Sequence, residues 1–385
     1  KYLLVTGMLC FMFLGCATEG VTPPPNELQK GDDERRLWQR AEAEQRVLNE
    51  SGLVYEDVEL EAYLNRVARN LQPYVLENIP FRIFVLKDPH LNAFSFPNGA
   101  IYVHTGILAR MNNEAQLATL LAHEMTHCTR RHALRAFRKI KNIRPSCTTT
   151  ESSLVESPGN GDLLTLLGST GSLAAVSGYT RELETEADMV GLGLIVNAGY
   201  DPKEGIKLFE HLRSEIEICG IREPFFFGTH PKLQKRIENC RKFLESQDLE
   251  KVTGIKNTRI FLTSIQGVIL ENAFLDLRAG RFYAAQKGLE KYLTLKPGDA
   301  RAYYLFGEVC RQRAEEGDLQ KAKALFEKAI FVDPSYPEPH KAIGLIYYKA
   351  GQKRLARVFF ETCLALSPKL PDRAYVRGYL EKCKE

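Results

Sequence analysis

The sequence predicts a mainly α-helical protein with a small β-sheet, its last third an α-solenoid of paired helices. Three observations predict this. Apolar residues recur at helical spacing along most of the chain, first in Asp32–Glu50 and again in Glu59–Val75. Alternation of the strand kind is confined to Phe81–Leu86, Asn92–Phe96 and Ala100–Val103, around the turn Pro97-Asn98-Gly99. Beyond about residue 260, glycine, alanine, bulky apolar and proline positions return at a fixed interval.

Taken in order, the elements begin with the apolar run Tyr2–Leu14, followed by Gly15, Cys16 and Ala17. An apolar core ending in small residues reads as a secretory signal, shorter than the about 20 residues that a spanning helix needs. Phe13-Leu14-Gly15-Cys16 resembles a bacterial lipobox, so residues 1–16 are expected to be a signal segment with Cys16 as the lipid attachment site. Residues 17–30, which include Thr22-Pro23-Pro24-Pro25, are expected to be a stiff linker. After the strands, Glu114 opens a strong helix carrying Ala115, Leu117, Leu120 and Leu121. Pro145–Asp162 is rich in Ser, Thr, Gly and Pro and reads as a loop. Leu163–Val176 reads as a buried helix, too short to span. Further helices are expected at Thr180–Asn197, Pro202–Cys219 and Pro231–Ser246.

In the last third, Pro297, Pro334 and Pro368 are spaced by 37 and 34 residues. Gly280/Gly317/Gly351, Ala285/Ala322/Ala356 and Leu289/Phe326/Phe360 keep the same offsets. Small residues let paired helices approach closely, and proline stops the second helix. A 34-residue register of this kind resembles tetratricopeptide repeats, here three of them with a final helix Asp372–Lys384 as cap. The three extra residues of the longer interval fit an insertion around Ala314–Glu316.

Composition bounds the function. Apolar residues are 44% and charged residues 26%, which suits a folded protein. A net charge of +4 over 385 residues, with no nucleic-acid-binding motif, gives no reason to expect nucleic acid as a partner. The basic stretch Arg130, Arg131, Arg135, Arg138, Lys139, Lys141 and Arg144 contains no acid and is read as complementing a helix C-terminus. Seven cysteines follow the leader without CxxC or zinc-finger spacing, and an odd number cannot all pair within one chain.

The segment that carries chemistry is His123-Glu124-Met125-Thr126-His127. On a helix, His123 and His127 project from one face, so both imidazoles can reach one metal ion. Glu124 is placed to hold a water on that metal, whose pKa zinc lowers from about 15.7 to about 7. A catalytic zinc needs a third protein ligand. In metzincins this is a histidine ten residues after the first, but position 133 here is Ala and His132 is one residue short. The alternative is a glutamate from a later helix. Arg181–Asp188 supplies Glu184, and Asp188 shares its face, free to accept the second N–H of a ligand histidine.

His123–His127 followed by Glu184, Glu186, Ala187, Asp188 and Gly191 resembles the peptidase family of HtpX, the CAAX prenyl proteases and the periplasmic BepA-like proteases. The resemblance runs from about Leu91 to Ile237. It takes in Asn92-Ala93-Phe94 with Pro97–Val103, Arg131-His132, Tyr179-Thr180-Arg181, and Thr229-His230-Pro231 with Arg236-Ile237. It implies an HExxH gluzincin-type metalloprotease domain at 31–250 and a tetratricopeptide-repeat α-solenoid at 260–385. It also implies one Zn2+ per chain on His123, His127 and Glu184, with Glu124 as base and Asp188 behind a ligand histidine. His230 is expected at the zinc, as a fourth ligand closing the resting site or as a donor to the oxyanion. Asn92, Ala93 and Phe94 are expected to bind substrate as an exposed strand edge.

The leader and repeats resemble the BepA-like secreted branch. That branch implies unfolded or misassembled protein clients and envelope partners met through the repeats. It implies a place in the bacterial cell envelope, on the periplasmic side, with a lipid anchor in a membrane. The competing reading is a non-proteolytic lipoprotein scaffold or chaperone with a latent or structural zinc site.

Overall fold

The computed structural model describes residues 31–75, 79–143, 179–219, 233–367 and 371–384. The leader with Cys16, the 145–162 loop, the Leu163–Val176 helix and His230 lie outside the described residues.

Two amphipathic helices open the fold. Helix α1 (Asp32–Glu50) buries Leu37, Ala41 and Leu48. In α2 (Val58–Leu71) the buried stripe is Leu60, Tyr63, Leu64, Val67 and Leu71, and Asp57 caps the start by accepting from Leu60 N. A three-stranded sheet follows, β1 (Arg82–Leu86), β2 (Ala93–Ser95) and β3 (Ala100–His104), in the order β1-β3-β2. Strand β3 is central and buried throughout, parallel to β1 and antiparallel to β2.

Strand periodicity sorts the sheet's side chains. Ile83, Val85, Ala93, Ile101 and Val103 enter the main core. On the opposite face Phe94, Phe96 and Tyr102 build a second cluster against Ala41 and Leu48 of α1, with Phe84 stacked on Tyr102 at 5.0 Å. The same alternation sorts the backbone of β2. His104 N donates to Asn92 O and Phe96 N to Ala100 O, so Asn92, Phe94 and Phe96 turn their backbone groups toward β3. Ala93 and Ser95 turn theirs away. The expected exposed edge is thus corrected: every residue of β2 is buried, backbone included, and the backbone of Ala93 and Ser95 is left unpaired by β3 rather than exposed. Asn92 and Phe94 have their main chain committed to the sheet.

Two short helices unforeseen in the sequence frame the metal-bearing one. Helix α3 (Thr105–Arg110) continues directly from β3. Helix α4 (Glu114–Thr129) starts at Asn113, whose side chain accepts from Gln116 N, and is buried from Glu114 to Cys128. The chain then turns through Arg131, in a left-handed conformation, into α5 (His132–Ile143). The basic stretch therefore lies largely on a new helix rather than at the end of α4. Its cations meet acids: Arg131 with Glu34, Arg138 with Asp33, and Arg130 and Arg135 with Glu186.

Helices α6 (Arg181–Asn197), α7 (Lys203–Cys219) and α8 (Leu233–Ser246) close over α4. A short α9 (Thr258–Ser264) leads to three helical pairs: α10 (Gln266–Arg278) with α11 (Phe282–Leu295), α12 (Ala300–Arg313) with α13 (Asp318–Val332), and α14 (Pro337–Lys349) with α15 (Lys353–Leu366). Helix α16 (Arg373–Lys382) packs on the last pair. A second glycine pair at the 37-residue interval, Gly307 and Gly344, meets the recurrent aromatic across each helical pair, since a Cβ on Gly307 would stand 2.4 Å from Phe326 and one on Gly344 2.7 Å from Phe360. The longer second repeat turns at Ala314, which holds a left-handed conformation. Cys128, Cys240, Cys310, Cys363 and Cys383 are buried free thiols.

The first helical pair is welded to the preceding part. Arg110 of α3 donates to Glu215 of α7 at 2.6 Å and to Asp276 of α10 at 3.2 Å. Lys291 of α11 donates to the carbonyls of Ala109 and Met111, at the C-terminus of α3. One hydrophobic core runs unbroken from Leu60 to Ile343. Among the described residues no single helix is long and apolar enough to cross a membrane.

Candidate metal centre

One helical turn of α4 places His123 and His127 on the same face, where their Nε2 atoms stand 3.0 Å apart. Helix α6 crosses α4 at this level. A Cβ on Gly191 would come within 3.2 Å of His123 N, so only glycine admits this approach without displacing α4. The crossing sets the Glu184 carboxylate 3.4 Å from His123 Nε2 and 3.6 Å from His127 Nε2. The ligand atoms of His123, His127 and Glu184 all lie within 4.8 Å of one another, on buried residues.

A carboxylate facing two imidazole edges in a dry interior calls for a positive charge among them. Two nitrogens and one carboxylate, with a fourth position left for water, form a donor set that suits zinc. Glu124 adds to the fit. Its Oε2 accepts from Ser95 Oγ at 2.9 Å, while its Oε1 is buried with no hydrogen-bond partner among the described residues. Burial pushes the Glu124 carboxyl above its ordinary range, opposed by His123 and by the Ser95 hydrogen bond. A carboxylate so raised is better able to take a proton.

Behind each histidine stands a different partner. Asp188, one turn along α6 from Glu184, lies 3.0 Å from His123 Nδ1. It is held by Arg236 of α8, whose Nε donates to both carboxylate oxygens at 3.1 Å and whose Nη2 donates at 2.5 Å. Arg236 is fully buried and its guanidinium lies over Phe209, 4.3 Å from the ring centre. Burial would raise the Asp188 carboxyl, but Arg236 and His123 outweigh it and hold it well below the carboxylate range. For His123, burial and Arg236 press toward the neutral form, and the bonds to Asp188 and Glu184 win, raising it to about 9. His127 is backed by His132, Nδ1 to Nδ1 at 2.8 Å, and Tyr179 stacks on its ring at 4.1 Å.

Of the residues singled out in the sequence, His123, Glu124, His127, Glu184 and Asp188 come together at this point. Ala93 lies one residue pair along β2 from Ser95, on the face toward α4. Phe94 points to the other face, against Phe96, Tyr102 and His104. Ser95, Tyr179, His132 and Arg236 were not assigned roles from sequence. Their only signal was that the last three fall inside the resemblance blocks.

Residues 55–244 match the model of peptidase family M48, and residues 342–370 match that of the tetratricopeptide repeat. The beta-barrel assembly-enhancing protease of Escherichia coli is 28% identical over 288 residues, 66% of this chain and 59% of that protein. The mitochondrial metalloendopeptidase OMA1 of Schizosaccharomyces pombe is 30% identical over 193 residues, covering 50% of this chain and 55% of its own. Its Saccharomyces cerevisiae counterpart is 31% identical over 185 residues, 44% of this chain and 49% of that one. The chain spans about half the length of these relatives.

Proposed function

Residues 55–244 form a peptidase family M48 domain with tetratricopeptide repeats behind it, and on that premise we propose that the protein is a zinc-dependent endopeptidase of unfolded or misassembled envelope proteins. The observation that carries this is the convergence of His123, His127 and Glu184 with the unshared oxygen of Glu124 beside them. When bound, zinc supplies an acidified water and a Lewis acid for the peptide carbonyl. The chain's own residues do the rest. Glu124 takes the proton of the attacking water and delivers it to the departing amine. Asp188, clamped by Arg236, accepts from His123 Nδ1 and keeps Nε2 as the ligand atom. His230 serves the same site, as a resting fourth ligand or an oxyanion donor.

An extended peptide laid antiparallel on β2 would bond to the backbone of Ala93 and Ser95 that β3 leaves unpaired, beside Glu124, once that buried edge is uncovered. Such pairing reads main chain rather than side chains. It favours clients that expose extended backbone, which folded proteins do not. The names of the bacterial relatives support an envelope client, and the repeats would dock clients or partner proteins. We place the protein in the bacterial envelope on the periplasmic side, anchored through a lipid on Cys16.

The test compares the purified protein with Glu124→Gln on an unfolded protein substrate, with zinc measured in both. Cleavage by the parent alone, at equal zinc, is the expected result. Equal zinc and no cleavage by either would favour a scaffold with a structural zinc site.

A further inference from the structure

We infer that His132 is a positioning residue for the metal centre, acting as the hydrogen-bond acceptor that holds His127 in its metal-binding tautomer. The inference rests on the zinc reading above and deepens it. His132 is fully buried, and its Nδ1 lies 2.8 Å from Nδ1 of His127. Two ring nitrogens at that distance share one proton. With Nε2 of His127 turned to His123 and Glu184, the proton sits on its Nδ1 and His132 accepts it. The remaining proton of His132 is then on Nε2, 3.4 Å from the Glu186 carboxylate, which Arg135 holds at 2.8 Å.

The backbone is bent to make this contact. Arg131 takes a left-handed conformation, φ 52°, two residues after α4 ends, which swings His132 back against the helix it has just left. Tyr179 closes the other side, stacked on His127 and 5.7 Å from His132.

An imidazole here, where His123 has a carboxylate, follows from charge. Glu124 and Glu184 are both buried at the site, and Asp188 is already neutralised by Arg236. A carboxylate against His127 would add another buried anion to a centre that already holds Glu124 and Glu184. The neutral ring moves that acid one side chain outward, to Glu186, where Arg130 and Arg135 reach it.

The experiment measures zinc affinity of the full chain by chelator competition, the visible spectrum of the cobalt form, and kcat and KM. It compares the parent with His132→Leu and His132→Asn, whose amide oxygen falls where Nδ1 was. His132→Leu should bind zinc about 10- to 100-fold more weakly, shift the cobalt spectrum and lose kcat at unchanged KM. His132→Asn should recover most of each. If apo His132→Leu does not fold, judged by circular dichroism, His132→Ala against His132→Asn makes the same comparison. A folded Leu or Ala variant with parental zinc affinity and kcat overturns the inference. So does an Asn variant no better than Leu. A parent that binds no zinc removes both this inference and the endopeptidase reading. A parent that binds zinc without cleaving removes only the latter, because the affinity difference is read without activity.

Discussion

Behind the ligands themselves, Arg236 is the residue whose loss should disturb the metal centre most. It is the cation for a buried Asp188, and it reaches the site from 113 positions beyond His123. Arg236→Met leaves that carboxylate buried without its partner, which costs about 3–5 kcal/mol when one member of a buried pair is removed. Arg236→Lys should not rescue it, because an ammonium cannot reproduce the forked bonds to both oxygens. Urea unfolding and zinc content of the two variants check this, and a lysine variant as stable as the parent would contradict it. His123, Glu124 and His127 were legible because four-residue spacing on a helix is local geometry. That Glu184 and Asp188 share a face of α6 was legible for the same reason, but their meeting with α4 was an expectation from the family resemblance alone. Arg236 and His132 were not, since nothing local says which distant side chain enters a buried charge cluster.

At the scale of elements, β2 shows how register decides what a strand can offer. Sequence alternation located the strand, but only its pairing with β3 shows that the backbone of Ala93 and Ser95 is left unpaired by β3 while that of Phe94 is not. Proline at Ala93 and at Phe94 should therefore behave differently. Ala93→Pro spares the ladder to β3, so it should destabilise the fold less than a proline at Phe94, while KM for an unfolded substrate rises. Phe94→Pro removes a bond to β3 and wedges the aromatic cluster, so it should destabilise the fold itself. Equal cleavage by Ala93→Pro and the parent would argue against strand addition. The repeats were legible at this scale because a period repeated three times is hard to imitate by chance. The short helices α3 and α5 were not, being too brief for their periodicity to stand out.

At the scale of the whole molecule, the repeats are bonded to the peptidase domain rather than hung from it. Arg110 is buried between Glu215 and Asp276, with Asn272 and Arg281 completing the acid's bonds. Arg110→Met takes the guanidinium from buried Glu215, while Arg281 still holds Asp276, and should destabilise the protein by about 3–5 kcal/mol. It should also expose the connection around residues 250–257 to limited proteolysis, which reports the loosening directly. Unchanged protection would mean that apolar contacts alone hold the halves. The sequence by itself determined the helical class, the sheet's place, the repeat period and the pairing of His123 and His127 on one helix face. Each of these follows from spacing along the chain, where neighbours in sequence are neighbours in space. Only the tertiary structure decided which backbone groups of β2 are left unpaired by β3, what backs each histidine, and how the repeats join the peptidase domain. Those depend on contacts between residues tens to hundreds of positions apart, which chain folding brings together and no local pattern records.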